Sequence, residues 1–156
     1  MSKEKTADYL QKIMRYCARA ERCRQDVLKK LDSYDAPTEE WESILEVLYE
    51  ENYLNDERYV MAYANDKWKL AQWGRLKIQN GLFRKGFGES MIEKGLSIVE
   101  DEPYKFSMEE ILSRKRETIH LEAPIDQMKK LMAFGQSRGI EEDIIWRWLE
   151  KEGLSF

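Results

Sequence analysis

Laid against itself, the sequence repeats with a period of 51 to 53 residues, and no other feature restricts the possible folds as much. Lys85-Gly86-Phe87 falls on Arg138-Gly139-Ile140, and Ile92 and Leu96 fall on Ile145 and Leu149. An earlier copy is weaker but in phase. There Arg24-x-x-Val27-x-x-x-Leu31 meets Arg75-x-x-Ile78-x-x-x-Leu82, and Trp41, Leu45 and Leu48 meet Ile92, Leu96 and Val99. Spacings of three and four put each set on one helical stripe, as a buried face requires.

Apolar residues recur at helical spacing along the whole chain, with turn signals between segments of 10 to 17 residues, so helices are expected and strands are not. The pattern predicts nine helices, near 4–20, 23–33, 38–52, 56–71, 74–85, 89–99, 108–120, 125–137 and 141–152. Pro37 cannot continue the second helix, and Gly86 and Gly139 supply the positive φ that ends the fifth and eighth. Asn55 before Asp56-Glu57 offers a cap and negative charge to the fourth helix, and Ser107 with Glu110 spells a capping box.

A unit of about 50 residues has little core of its own, so neighbouring units should stack and share burial. The expected fold is all-α: three tandem three-helix repeats, 1–54, 55–102 and 103–156, stacked in a short, curved, elongated array. The stripe residues are its core. Trp41, Ile92 and Ile145 are the strongest candidates, and truncating a fully buried Trp41 to alanine should cost about 3–5 kcal/mol.

Charge repeats with structure. Net charge is −4, which argues against affinity drawn mainly from phosphate contacts. Locally the charge runs +5 over 1–31, −10 over 32–57, +5 over 58–94, −4 over 95–113, +3 over 114–138 and −3 over 139–156. The first two helices of each unit are basic and the region around the third is acidic. Solvated faces explain any single run, but the threefold recurrence favours a basic and an acidic strip for partners of opposite sign.

The 42% apolar and 36% charged composition suits a folded domain. The N-terminal residues lack the apolar core of a secretory signal and no run is long enough to span a bilayer, so the expected compartment is the cytosol. Cys17 and Cys23 match neither a CxxC pair nor a zinc framework and are read as reduced, partly buried thiols.

From Trp68 to Lys77 two tryptophans interleave with three cations, a combination used on single-stranded nucleic acid. Closing the core at the fourth-to-fifth helix junction is the favoured alternative for both rings. Leu76 and Phe83 lie opposite Ile78 and Leu82 on the fifth helix; they pack on a neighbouring unit or form an exposed partner-binding pair. A helix-turn-helix spanning Leu82 to Leu96 is opposed by Glu89 and Glu93, which put acids where a recognition helix needs to approach phosphates. His120 has no second histidine or cysteine nearby, and no phosphate-binding glycine loop, nucleophile elbow, HExxH or Ca²⁺ loop occurs. No catalytic residue, metal site or cofactor is expected.

Tyr53-Leu-Asn-Asp-Glu-Arg-Tyr59, followed by Gly74-Arg75-x-x-Ile78 and Lys85-Gly86-Phe87, resembles the bacterial RecX family of recombinase regulators. Arg19-x-Glu21-x-Cys-Arg24-x-x-Val27 is similar to that family's opening helices, and Arg138-Gly139-Ile140 with Ile145 to its closing repeat. The resemblance runs from about residue 10 to 150. It implies a non-catalytic array of three-helix repeats, taken here as a monomer, that binds the RecA filament on DNA, lies in its groove and inhibits strand exchange and ATP hydrolysis. Weak DNA contact is an accompanying expectation, and direct binding of single-stranded nucleic acid is the alternative.

Among the matching positions Leu54, Ile78, Gly86 and Gly139 are structural, and Asp56, Glu57 and Arg58 match an acidic-acidic-arginine motif that also suits capping and salt-bridging of the fourth helix. The expected contact surface consists of Arg24, Lys67, Lys69, Arg75, Lys77, Arg84, Lys85, Lys129, Lys130 and Arg138. The chain departs from the family pattern in its acidic net charge and in Tyr34-Asp-Ala-Pro37, where a basic-glycine corner is usual.

Overall fold

The apolar periodicity resolves into nine α-helices, with no strand among the described residues. They are α1 (Lys3–Arg19), α2 (Arg24–Ser33), α3 (Thr38–Glu50), α4 (Asp56–Lys69), α5 (Arg75–Arg84), α6 (Glu89–Leu96), α7 (Asp101–Thr118), α8 (Pro124–Ser137) and α9 (Glu142–Lys151). The structure is a computed structural model that describes residues 3–154, with side chains described from Asp8 onward; Met1, Ser2, Ser155 and Phe156 lie outside the described residues. Consecutive triplets of helices pack together: α1 to α3, α4 to α6 and α7 to α9.

The corner between the second and third helices of each unit repeats in backbone detail. After α5, Gly86 at φ +95° lets Phe87 N–H donate to Leu82 O and its own N–H donate to Phe83 O. After α8, Gly139 at φ +79° does the same, through Ile140 N–H to Gly135 O and its own N–H to Gln136 O. Both are Schellman closures, which satisfy carbonyls the helix end would otherwise leave unpaired. The divergent corner after α2 has the same geometry: Asp35 sits at φ +58°, and Ala36 N–H donates to Leu31 O. Aspartate tolerates the left-handed region better than most side chains but at a cost. Asp35→Gly should therefore raise the free energy of unfolding by up to about 1 kcal/mol, measured by urea titration.

The expected stripe is the core. Val27, Leu31, Ile78, Leu82, Ile145 and Leu149 are fully buried and Ile92 nearly so. Trp41 corrects the expectation: it is only half-buried, because its indole N–H reaches the Ala36 carbonyl (3.0 Å) at the rim of the first unit. Burial is shared unevenly. The second and third units build one continuous core, whereas Ile13, Val27, Ile44, Leu48 and their neighbours form a separate core in the first. Cys23, at the start of α2, packs with the second unit's core.

Polar contacts complete the first seam. Arg58 Nε donates to Glu21 (2.7 Å), Lys85 Nζ to Asp26 (2.9 Å), and Tyr49 Oη to Asp56 (2.9 Å). Burial by itself would raise the Asp26 carboxyl, but hydrogen bonds from Lys85 and the Cys23 backbone hold it below the usual carboxylate value. A lowered folded value means stability that is present above the ordinary aspartate range and lost as pH falls through the folded value. Asp26→Asn should thus lower the melting temperature at pH 6 and have little effect at pH 2.

Both cysteines are free and buried. Burial pushes the Cys17 thiol up to about 11 and the Cys23 thiol above its ordinary value as well. Because the thiolate is the reactive form, a disulfide-exchange reagent at pH 8 should label neither thiol in the folded protein and both in denaturant.

The seventh helix differs from its expected span of 108–120. It begins at Asp101, so Ser107 lies inside it and forms no cap. Pro103 falls in the first turn, where its missing N–H leaves no helix bond unmade. Tyr104 then starts the hydrogen-bond ladder with N–H to Glu100 O and drives its ring into the core.

Candidate functional site

Where α4 turns into α5, the chain has to bend within Leu70 to Gly74, and Gln72 adopts φ +58° to do so. The bend folds Trp73 back against α4, edge-on to Tyr63 with ring centroids 6.4 Å apart. Lys67, from the last turn of α4, and Lys77, from the first turns of α5, each hold their ammonium 4.6 Å from the Trp73 ring centroid. Neither has a carboxylate partner among the described residues. The electron-rich ring attracts each cation and restrains its position. Lys69 lies 5.4 Å over Trp68, whose own ring is buried.

The third unit extends this surface. Arg138 donates to the Ala71 carbonyl (3.3 Å) and lies 5.4 Å from the Phe134 ring centroid, with Lys115 at 5.5 Å from the same ring. Backbone meets backbone directly below: Gly74 N–H donates to Arg138 O (2.6 Å) and Leu76 N–H to Gly139 O (3.0 Å). No side chain fits between them. A Cβ on Gly74 would fall 2.2 Å from Gly139 O, and one on Gly139 would fall 2.4 Å from Lys77 N.

Beside that seam the guanidinium of Arg75 bonds Glu141 (3.2 Å), Asp101 (2.6 Å) and the Val99 carbonyl (3.0 Å). Tyr104 Oη accepts the Arg75 backbone N–H (2.9 Å) and donates to Glu141. Burial and the Glu141 carboxylate together push the Tyr104 phenol well above its ordinary value. Burial disfavours the charge on Arg75, yet Asp101 and Glu141 hold its value above the ordinary one.

The expected contact cations therefore separate into groups. Lys77 and Arg138 meet at the seam between the second and third units, Lys67 shares the Trp73 ring with Lys77, and Lys69 lies over Trp68. Arg75 is enclosed in an ion-pair network and Lys85 is bound to Asp26, which gives both structural work. Arg24 pairs with Glu42 and Lys130 with Glu122, while Arg84 and Lys129 are exposed. The motif residues do local work: Leu54 is buried, Asp56 receives Tyr49, Glu57 pairs with Lys94 (3.1 Å), and Arg58 links α4 to Glu21. Asn55 Oδ1 accepts the Arg58 N–H (2.8 Å), as the capping reading requires.

One basic feature escaped the sequence reading. Lys12, Arg15, Arg19 and Lys30 surround Tyr16 and Tyr34 in a cleft of about 220 Å³ on the first unit. Its signal was the spacing of Lys12, Arg15, Tyr16 and Arg19, three or four apart on α1. His120 is exposed and its ring nitrogen lies 2.7 Å from the Glu117 carbonyl. No helix among the described residues is long and apolar enough to cross a membrane.

The family model described as "RecX, second three-helix domain" matches residues 55–96, the span of α4 to α6. The regulatory protein RecX of Clostridium perfringens is 34% identical over 102 residues, covering 64% of this chain and 47% of that protein. The regulatory protein RecX of Streptococcus uberis is 25% identical over 125 residues, covering 80% of this chain and 47% of that protein. The chain thus spans about half the length of these curated relatives. The crystal structure of RecX from Lactobacillus salivarius matches with a TM-score of 0.84 at 18% identity, over 97% of this chain and 99% of that one. At that identity the likeness establishes the fold.

Proposed function

We propose, from its similarity to the RecX regulatory proteins, that this chain is a member of that family, binds the RecA recombinase filament on DNA and restrains its strand exchange and ATP hydrolysis. It acts by binding rather than by catalysis, as a monomer in the cytoplasm, and uses no cofactor. The observation that supports this most is the pair Lys67 and Lys77, held over Trp73 without carboxylate partners among the described residues and continued by Arg138. Cations fixed by stacking lose little freedom on meeting acidic side chains or DNA phosphates of a filament.

The test is recombinase ATP hydrolysis and strand exchange on single-stranded DNA, with this protein added well below one copy per recombinase protomer. Both rates should fall; full activity at saturating regulator would sink the reading. The double variant Lys67→Glu with Lys77→Glu should need about tenfold more protein for the same inhibition, at unchanged helical content. Undiminished inhibition would take the basic seam out of the mechanism. Reversing Arg75 or Lys85 is uninformative, because their part-buried structural ion pairs would break first.

The competing reading, direct binding of single-stranded nucleic acid, rests on the same cations. The Trp73 ring carries two ammonium groups and Trp68 is buried, so neither ring is open to a stacking base. A log-log salt slope of about −0.7 per phosphate contacted would favour this reading. A weak salt response with retained inhibition favours the recombinase.

A further inference from the structure

Leu76 and Phe83 did not find the neighbouring unit that would cover them. They are 50% and 70% exposed, and their seven-residue separation puts them on one side of α5 about 10 Å apart. Between them and α6 runs a groove of about 490 Å³, floored by Phe87, Ile92 and Leu96. Its far rim is acidic. Glu89 and Glu93, one turn apart on α6, line it and are exposed, with no ion pair among the described residues, and no cation lines the groove. The neighbouring Lys94 is bound to Glu57.

We propose that this groove receives a basic amphipathic helix of the recombinase, with apolar side chains seated between Phe83 and Ile92 and cations against Glu89 and Glu93. The inference rests on the functional reading above and adds a contact separate from the basic seam. An apolar trough between two helices accepts a helix that presents residues at i, i+4 and i+7. An extended segment would find no sheet edge to pair with, since the described residues contain no strand. Charge selects the occupant. Two copies of this chain meeting groove to groove about a twofold axis would bring four unpaired carboxylates together, whereas Lys or Arg one turn apart on a partner helix would neutralise the rim. The two surfaces then divide the work: the basic seam takes negative groups of the filament and the groove takes a positive helix.

The experiment places the photo-crosslinking residue p-benzoylphenylalanine at position 83 in the full chain, assembles it on recombinase filaments, irradiates, and maps the attachment site by mass spectrometry. The expected product joins position 83 to a helical recombinase segment bearing Lys or Arg one turn apart. In parallel, Glu89→Lys with Glu93→Lys should weaken co-sedimentation with the filament about tenfold while the chain stays folded, its melting temperature lowered by only a few degrees through the lost first-turn charge of α6. Attachment to a second copy of this chain, attachment to a recombinase segment without cations, or undiminished co-sedimentation of the doubly reversed variant overturns the groove assignment alone. A wild-type chain that fails to inhibit the recombinase overturns the functional reading, and this inference with it.

Discussion

Gly139→Ala is expected to lower the free energy of unfolding by about 3–5 kcal/mol, the largest effect of any single methyl group in this protein. Two costs combine. At φ +79° an L side chain is strained by about 1–2 kcal/mol, and the new Cβ would stand 2.4 Å from the Lys77 backbone nitrogen, where nothing flexible can yield. Two neighbours separate these costs. Gly86 has φ +95°, but its Cβ would meet only the Gln25 side chain at 3.2 Å, so Gly86→Ala should cost about 1–2 kcal/mol. Gly74 has an ordinary φ of −76°, but its Cβ would fall 2.2 Å from the Gly139 carbonyl, so Gly74→Ala should cost about 3 kcal/mol through the seam alone. Urea denaturation of the three variants measures the order. Equal costs at Gly86 and Gly139 would show that the units do not meet backbone to backbone.

Arg75→Met should cost about 3 kcal/mol, towards the lower end for a broken buried ion pair because Arg75 and Glu141 keep about a fifth of their side-chain surfaces exposed. The methionine replaces much of the apolar stem but leaves Glu141 facing the Tyr104 hydroxyl and no guanidinium. Adding Glu141→Gln should recover about half of the loss, since a neutral amide no longer suffers an uncompensated charge. If the two substitutions add without recovery, the pair does not interact in the folded protein. The outcome also bears on function: a residue whose removal unfolds the seam cannot be assigned to partner binding from lost inhibition alone.

The helices were legible because their stripes and stops are local. Val27 with Leu31, Ile78 with Leu82 and Ile145 with Leu149 declare a buried face at helical spacing, and Gly86, Gly139 and Asn55 act on their own turns. The start of α7 was not legible. Ser107 and Glu110 carry a genuine capping pattern, and only the burial of Tyr104 against Trp68 and Glu141 makes the earlier start at Asp101 the better one. Asp35 is the converse case: its residue type departs from the repeat, but its backbone does not.

The candidate surface was half legible for a related reason. Composition marks Lys67, Arg75, Lys77 and Lys85 as equivalent positive charges, and helical spacing does not distinguish them. Their roles diverge through residues distant in the chain. Glu141 lies 66 positions from Arg75 and Asp26 lies 59 from Lys85, and both absorb a charge that the sequence leaves free. Trp73 does the opposite, holding Lys67 and Lys77 without neutralising them.

By itself, then, the sequence determined that this protein is a threefold array of three-helix units with a recurring basic and acidic order, since periodicity, caps and turns are short-range properties of the chain. Tertiary structure alone decided which cations remain available, that Gly74 and Gly139 join two units without intervening side chains, and that Leu76 and Phe83 stay uncovered beside an acidic rim. Each depends on contacts between residues far apart in the chain, where long-range packing and charge pairing decide the outcome and residue type does not.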